Sequence, residues 1–295
     1  IISVLLLEGI YFYNFTTPEF NVNICQIPFW VLTVYYFWQC FKNDKTQNWV
    51  LLGLFAALGV LSKYLFVYLL FGIAVFFIFK LKKNKKFNYK WFIPLSVFLL
   101  VLTPHFIWLL DNNFKTFAYG LKRTTLIDSN SFNHITYPLK FTLKQIGILI
   151  PFFALLSLII SKFKFKFKFH DEKLIFLTSV VLLPILLMML TSLIFGANIR
   201  TMWMTPFYLF FGLLFVYIFE PNINLNYLKR FTAMFLFLFI LSPTIYLYES
   251  LSIDDKRTDF PGKEIARLVQ TRWDKNFTNK ITIVVGDEWL GGNLS

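Results

Sequence analysis

WVLLGLFAALGVLSKYLFVYLLFGIAVFFIF, residues 49–79, is an apolar stretch of 31 residues broken near its middle by Ser62-Lys63-Tyr64. Lys42 and Lys45 precede it, and Lys80, Lys82, Lys83, Lys85, Lys86 and Lys90 follow it. Lys-rich loops stay on the cytoplasmic side of a bilayer, so both flanks belong there. A single helix would put its two ends on opposite sides. The stretch therefore predicts a helical hairpin turning at Ser62-Lys63-Tyr64. Each arm would be only about 20–24 Å long, against a hydrocarbon core of about 30 Å. The turn, and Lys63 with it, is expected below the outer membrane surface, lining a protein cavity.

Working outward, the same character covers most of the 295 residues. Hydrophobic residues make up 57%, aromatics 21% and charged residues 15%, whereas soluble domains sit nearer 45–50% apolar and about 25% charged. Nine apolar runs are candidate spans: 1–13, 24–41, 49–61, 64–79, 91–110, 141–161, 174–194, 201–219 and 231–248. Helix is the expected form, because a spanning segment must satisfy its own backbone and these runs lack barrel-strand alternation. The fold class read from the chain is an all-α polytopic membrane protein. Residues 1–248 would form the transmembrane domain, cut at its N-terminus.

Sidedness follows from the cations. Loops 42–48, 80–90, 162–173 and 220–230 hold 15 of the 29 Lys and Arg residues. The alternate stretches, 14–23, 62–63, 111–144 and 195–200, hold seven: Lys63, Lys115, Lys122, Arg123, Lys140, Lys144 and Arg200. The richer set reads as cytoplasmic and the other as outer. That alternation also explains the net charge of +13 better than nucleic-acid binding does. The run KFKFKFKF at 162–169 reads as interfacial, with Phe in lipid and Lys against headgroups. Cys25 and Cys40 would lie about 22 Å apart on one helix, beyond a disulfide's reach. No cluster of Cys and His suggests a metal, and no cofactor is expected.

Past residue 248 the chain turns polar. Pro261-Gly262 followed by KEIARLVQTRW predicts a helix, and the β-branched run 281–285 before Gly286 predicts a strand. Residues 249–295 thus read as the start of an extracytoplasmic α/β domain, truncated at its C-terminus.

Polar groups at membrane depth cost roughly 2.5–3.5 kcal/mol on insertion scales, so they mark cavities or pathways. Lys63, a lone cation at the hairpin apex, suits a lipid-linked phosphate; its plain alternative is snorkelling to outer headgroups. Arg200, in GANIRTMWMTP, carries a guanidinium able to grip phosphate bidentately. His105, in TPHFIWLLDNNF, and the loop 111–140 would complete the same cavity, or His105 is simply a hydrogen-bonded core residue. Glu19, with Asn21 and Asn23, would bond sugar hydroxyls or act as a base; alternatively this loop is a solvated turn with Asn23 as helix cap. Glu8 is either an acid facing the cavity or one solvated near the interface.

YNFTTPEFNVNICQIPFWVLTVYYFW (13–38), WVLLGLFAALGVLSKY (49–64) and TPHFIWLLDNNFKTFAYG (103–120) resemble the membrane-embedded GT-C glycosyltransferases. The superfamily is that of the protein O-mannosyltransferases and aminoarabinose transferases, glycosyltransferase family 39. The terminal VVGDEWLGGNLS is similar to the start of the periplasmic domain of some members. The resemblance implies transfer of a sugar from a polyprenyl-phosphate carrier to an envelope acceptor (lipid A, polysaccharide or protein) at the periplasmic face of a bacterial inner membrane. It implies that the principal catalytic acid lies in an outer loop preceding residue 1. Lys63 and Arg200 match the basic residues that hold the carrier phosphate, and Glu19 matches a second acidic site where Asp is more usual. The competing functions are a secondary transporter or lipid flippase, for which no internal repeat is visible, and an assembly protein without catalysis.

Overall fold

The computed structural model describes residues 1–16, 20–84, 88–124, 130–163, 170–252, 260–286 and 290–294. Glu19 and most of KFKFKFKF lie outside the described residues. The helices, in chain order, are α1 (Ile2–Leu5), α2 (Val22–Asn43), α3 (Thr46–Ser62), α4 (Val67–Asn84), α5 (Phe92–Asp111) and α6 (Lys115–Arg123). They continue with α7 (Asn133–Ile159), α8 (Glu172–Phe195), α9 (Phe211–Phe219), α10 (Leu228–Ser252), α11 (Gly262–Asn276) and α12 (Leu290–Leu294). Among the described residues no strand forms, so the chain is an all-α polytopic membrane protein.

Its surface shows why a membrane is required. On α5, Phe92, Leu95, Leu99, Leu100, Phe106 and Ile107 are exposed, and on α10 so are Leu236, Phe237, Phe239 and Ile240. Water-soluble proteins rarely present contiguous apolar patches of that extent, whereas lipid tails favour them.

Among the described residues, five helical segments are long and apolar enough to cross: Tyr64–Lys83, Tyr89–Asp111, Asn133–Ile159, Glu172–Phe195 and Leu225–Ser252. A sixth arises if Thr201–Tyr208 and Phe211–Asn222, bent by 52°, are one broken span. This corrects the expectation of nine. Run 1–13 breaks into α1, a 3-10 turn at Leu6–Gly9, an extended Ile10 and a second 3-10 turn at Tyr11–Tyr13. The break lies where Gly9 meets the backbone of Phe152, a contact that leaves no room for a Cβ. Helix α3 has only 17 residues, about 25 Å. Helix α2 is longer, but its Gln, Trp and Tyr side chains lower its hydropathy. The second hairpin arm is also longer than expected. Tyr64–Lys83 has 20 residues, about 30 Å, so shortness applies to α3 alone.

The charged and polar ties sort the connections into two ends. At one end Asp44 accepts from Trp49 Nε1 at 2.9 Å and pairs with Lys90 at 3.2 Å, Lys80 pairs with Glu172 at 2.8 Å, and Tyr217 donates to Asp171 at 2.6 Å. Ser161 N–H donates to Asn222 O at 2.8 Å. These link loops 42–48, 80–90, 162–173 and 220–230, the four Lys-rich ones. At the other end Asn23 meets Lys63, Tyr64 meets His105 and Thr116, and Asn198 N–H donates to Thr124 O. With α3 starting beside Asp44 and α4 ending four residues before Asn88, which also bonds Asp44, the chain reverses at Lys63, as the sequence predicts.

Helix α3 packs between α2 and α5, and α4 packs on α8. Without water between helices, close approach and ring packing supply the cohesion. A Cβ on Gly72 of α4 would collide with the carbonyl oxygen of Ser179 on α8. Gly72→Val is therefore expected to destabilise by about 1–3 kcal/mol, read as a lower thermal midpoint in detergent; an unchanged midpoint would show that the helices can part without cost.

The chain divides into two compact units, Ile1–Ser242 and Pro243–Ser295, the boundary falling inside α10. In the second, α11 forms where Pro261-Gly262 predicts a helix start, and it packs on α12. The β-branched run 281–285 is not a strand, which corrects the expected α/β domain. A strand needs a neighbour for its ladder, and the described residues offer none.

Candidate functional site

The site grows from a break in helix geometry. At Lys63 the backbone turns extended (φ −166°, ψ 133°), ending α3 while its N–H still donates to Gly59 O. The 3-10 turn Tyr64–Phe66 then leads into α4, and the Phe66 ring folds back over Gly59. The Lys63 carbonyl accepts from Gln26 Nε2 at 2.8 Å. Gln26 is fully buried on α2, so the turn is pinned to α2 through its own backbone.

The Lys63 ammonium donates to Asn23 Oδ1. Asn23 is itself oriented, since its Nδ2 donates to Asn21 Oδ1 at 2.9 Å. Asn21 is the N-cap of α2, accepting from Asn23 N–H at 2.9 Å. The cap is thus Asn21, not Asn23, because Asn21 has the extended backbone a cap requires. One short side chain both starts α2 and aims the acceptor at Lys63. Asn21→Ala is expected to cost about 1 kcal/mol through the lost cap, measurable by thermal unfolding; a loss below a few tenths would remove this role.

From the opposite side comes the 3-10 segment Thr201–Tyr208, which packs on α2. Helix α8 ends at Gly196, whose left-handed φ of 60° suits glycine, and residues 197–200 lead to this segment. Arg200 caps it and is exposed, with its carbonyl accepting from Trp203 N–H at 3.0 Å. The Lys63 ammonium sits 4.9 Å from the centre of the Trp203 ring, and the positive charge of Arg200 bears on it. Among the described residues neither cation has a carboxylate partner. An ammonium with only amide and ring contacts, and a second cation on the segment that carries Trp203, leave an electropositive spot suited to an anion.

His105 joins this end of the chain through Tyr64. Its Nε2 lies 2.8 Å from the Tyr64 hydroxyl, which also meets Thr116 Oγ1 at 2.8 Å. The imidazole stacks on Trp108, with centroids 5.8 Å apart. His105 therefore reaches the residue next to Lys63, not Lys63 itself. Glu8 is half-buried, and its Oε1 accepts from Asn14 Nδ2 at 2.5 Å. Asn14 also donates to Leu238 O at 3.3 Å. The adjacent Tyr13 hydroxyl donates to Thr205 O, on the segment that carries Trp203. Among the described residues no group of three or more His, Cys, Asp or Glu converges as metal ligands would.

Asn23 and Trp203 meet Lys63, Arg200 lies three residues before Trp203, Asn21 acts through Asn23 and His105 through Tyr64. Sequence reasoning missed Trp203, Tyr64 and Gln26. Trp203 had a signal, lying three residues from Arg200 within the stretch singled out for that arginine.

Residues 1–108 match the family model described as dolichyl-phosphate-mannose-protein mannosyltransferase. The match takes in Asn23, Lys63, Tyr64 and His105 but not Arg200, and it covers a little over a third of the chain. It supports the GT-C glycosyltransferase superfamily. No curated protein and no solved structure gives a significant match.

Proposed function

We propose that this chain carries the phosphate-holding part of a membrane glycosyltransferase that moves a sugar from a polyprenyl-phosphate carrier to an acceptor at the periplasmic face of a bacterial inner membrane. The carrying observation is the Lys63 ammonium held between Asn23 and Trp203, with Arg200 three residues before that tryptophan and no carboxylate neutralising either among the described residues. The acceptor's nucleophilic oxygen attacks the anomeric carbon and forms the new glycosidic bond. The bond from that carbon to the carrier phosphate breaks, and the phosphate leaves with its electron pair and added negative charge. Lys63 and Arg200 stabilise that charge where it develops. A carboxylate takes the acceptor proton. Glu19 and Glu8 are the candidates within this chain, beside an acid in a preceding loop. The reaction needs no cofactor besides the lipid-linked donor, and the acceptor is lipid A, a polysaccharide or a protein. The segment after residue 248 would lie in the periplasm.

The decisive experiment supplies the protein in vesicles with radiolabelled polyprenyl-phosphate sugars and envelope acceptors. Donor-dependent labelling of an acceptor is the expected result; absence of transfer from every such donor would reject the proposal. Asn23→Asp should place a carboxylate against Lys63 and weaken carrier-phosphate binding about ten-fold, the ratio that roughly 1.4 kcal/mol represents. Unchanged binding in a titration would remove Lys63 from the phosphate site.

One observation favours a second function. The 52° break between Thr201–Tyr208 and Phe211–Asn222 ends the 3-10 segment that carries Trp203, and interrupted helices are a feature of transporters. A transporter or flippase would move the lipid-linked sugar across vesicles without consuming it, and the same assay reads that outcome.

A further inference from the structure

Helix α6 is not needed for the chemistry above, and it is exposed on nearly every side. Phe117, Tyr119 and Leu121 are 48, 49 and 57% exposed, and a Cβ on Gly120 would meet nothing within 4 Å. Its residue spacing makes two faces. Lys115, Tyr119 and Lys122 recur at i, i+4 and i+7, while Phe117 and Leu121 recur on the opposite side. Among the described residues neither Lys115 nor Lys122 has a carboxylate partner.

Its position in the chain limits what can cover it. The span Tyr89–Asp111 leaves the bilayer four residues before α6 begins, and Asn133–Ile159 re-enters shortly afterwards. Helix α6 is therefore tethered at the level of the headgroups. It is also anchored on its inner side. Thr116 Oγ1 lies 2.8 Å from the Tyr64 hydroxyl, Phe117 stacks on Tyr64 with centroids 4.9 Å apart, and Asn198 N–H donates to Thr124 O at 3.1 Å. Those contacts are one residue from Lys63 and two from Arg200. Basic residues in a loop assigned to the outer side are also not explained by the positive-inside rule.

We propose that α6 is a surface helix that binds anionic phospholipid headgroups through Lys115 and Lys122, with Leu121 set into the acyl boundary. Charge complementarity selects the occupant, since cations on one face and apolar residues on the other are what an acidic bilayer surface takes. A headgroup-bound α6 then rests against the two chain segments that carry Lys63 and Arg200. The inference holds whichever reaction the protein performs.

The test places an environment-sensitive fluorophore at Leu121→Cys, in a background of Cys25→Ser and Cys40→Ala, with the protein in lipid nanodiscs. Discs of phosphatidylcholine alone are compared with discs containing about a third phosphatidylglycerol. Quenching by a lipid spin-labelled near its headgroup should be at least about two-fold stronger in the anionic discs. It should fall to the neutral level in about 1 M salt, where the Debye length is about 3 Å. Lys115→Gln with Lys122→Gln should abolish the difference while circular dichroism stays unchanged, both side chains being exposed. Equal quenching in the two discs, or a difference that survives the double substitution, overturns the proposal. So does a probe as shielded in detergent as in anionic discs, which would mean that protein, not lipid, covers α6.

Discussion

Lys63→Ala is expected to lower sugar transfer by about 10²–10³-fold, the range found when one charge-stabilising donor is removed from an active site. The effect follows from position. The ammonium is aimed by Asn23 and Trp203, so it needs no reorganisation as charge builds on the leaving phosphate. Its loss should fall mainly on turnover, because the charge it meets is largest in the transition state. Arg200→Ala should be milder, since Arg200 is exposed and its charge is screened by solvent. On the proposed assignment of both cations to one phosphate, the two losses should not add. Steady-state kinetics with a labelled donor, on single and double variants, provide the check. A Lys63→Ala enzyme with wild-type turnover would eliminate the phosphate assignment and leave the lysine a structural role at the turn.

The second large effect is on stability. Phe37→Ala should cost about 3 kcal/mol, towards the lower end of what deleting a buried ring costs in soluble cores. Phe37 is 2% exposed and its ring lies 5.2 Å from Phe41, 5.9 Å from Phe76 and 6.1 Å from Phe176. Those partners join α2, α4 and α8, so one truncation opens a void between three helices. In lipid the removed ring loses packing contacts, not shelter from water, because acyl chains are as apolar as the core. That is why the lower end of the range applies. A thermal or denaturant midpoint in detergent measures it; Phe37→Leu should recover more than half. A loss below about 1 kcal/mol would mean that the neighbouring rings close the gap.

The hairpin at Lys63 and the sorting of the loops into two ends were legible in the sequence. Both depend on charge against lipid, a cost carried by each Lys individually and therefore visible residue by residue. The count of spans was not. Runs 1–13 and 201–219 are apolar enough to suggest continuous helices, yet the first breaks where Gly9 meets the Phe152 backbone and the second bends by 52°. An apolar run states that a segment avoids water, not that it stays straight.

The same division holds at the site. Lys63 stood out because a cation at membrane depth is expensive wherever the chain puts it, and Arg200 because a guanidinium can grip phosphate bidentately. Their partners did not, because Asn23, Trp203, Tyr64 and Thr116 are ordinary residues until distant helices meet. The strand expected at 281–285 marks the opposite limit: β-branched residues state a local preference, but a ladder needs a second chain segment beside it. By itself the sequence determined that the chain lives in a membrane, where it reverses, and which loops share a side, since each follows from a one-residue transfer cost. Only the tertiary structure decided which helices stay whole and which side chains surround Lys63, because those depend on pairs of segments far apart in the chain.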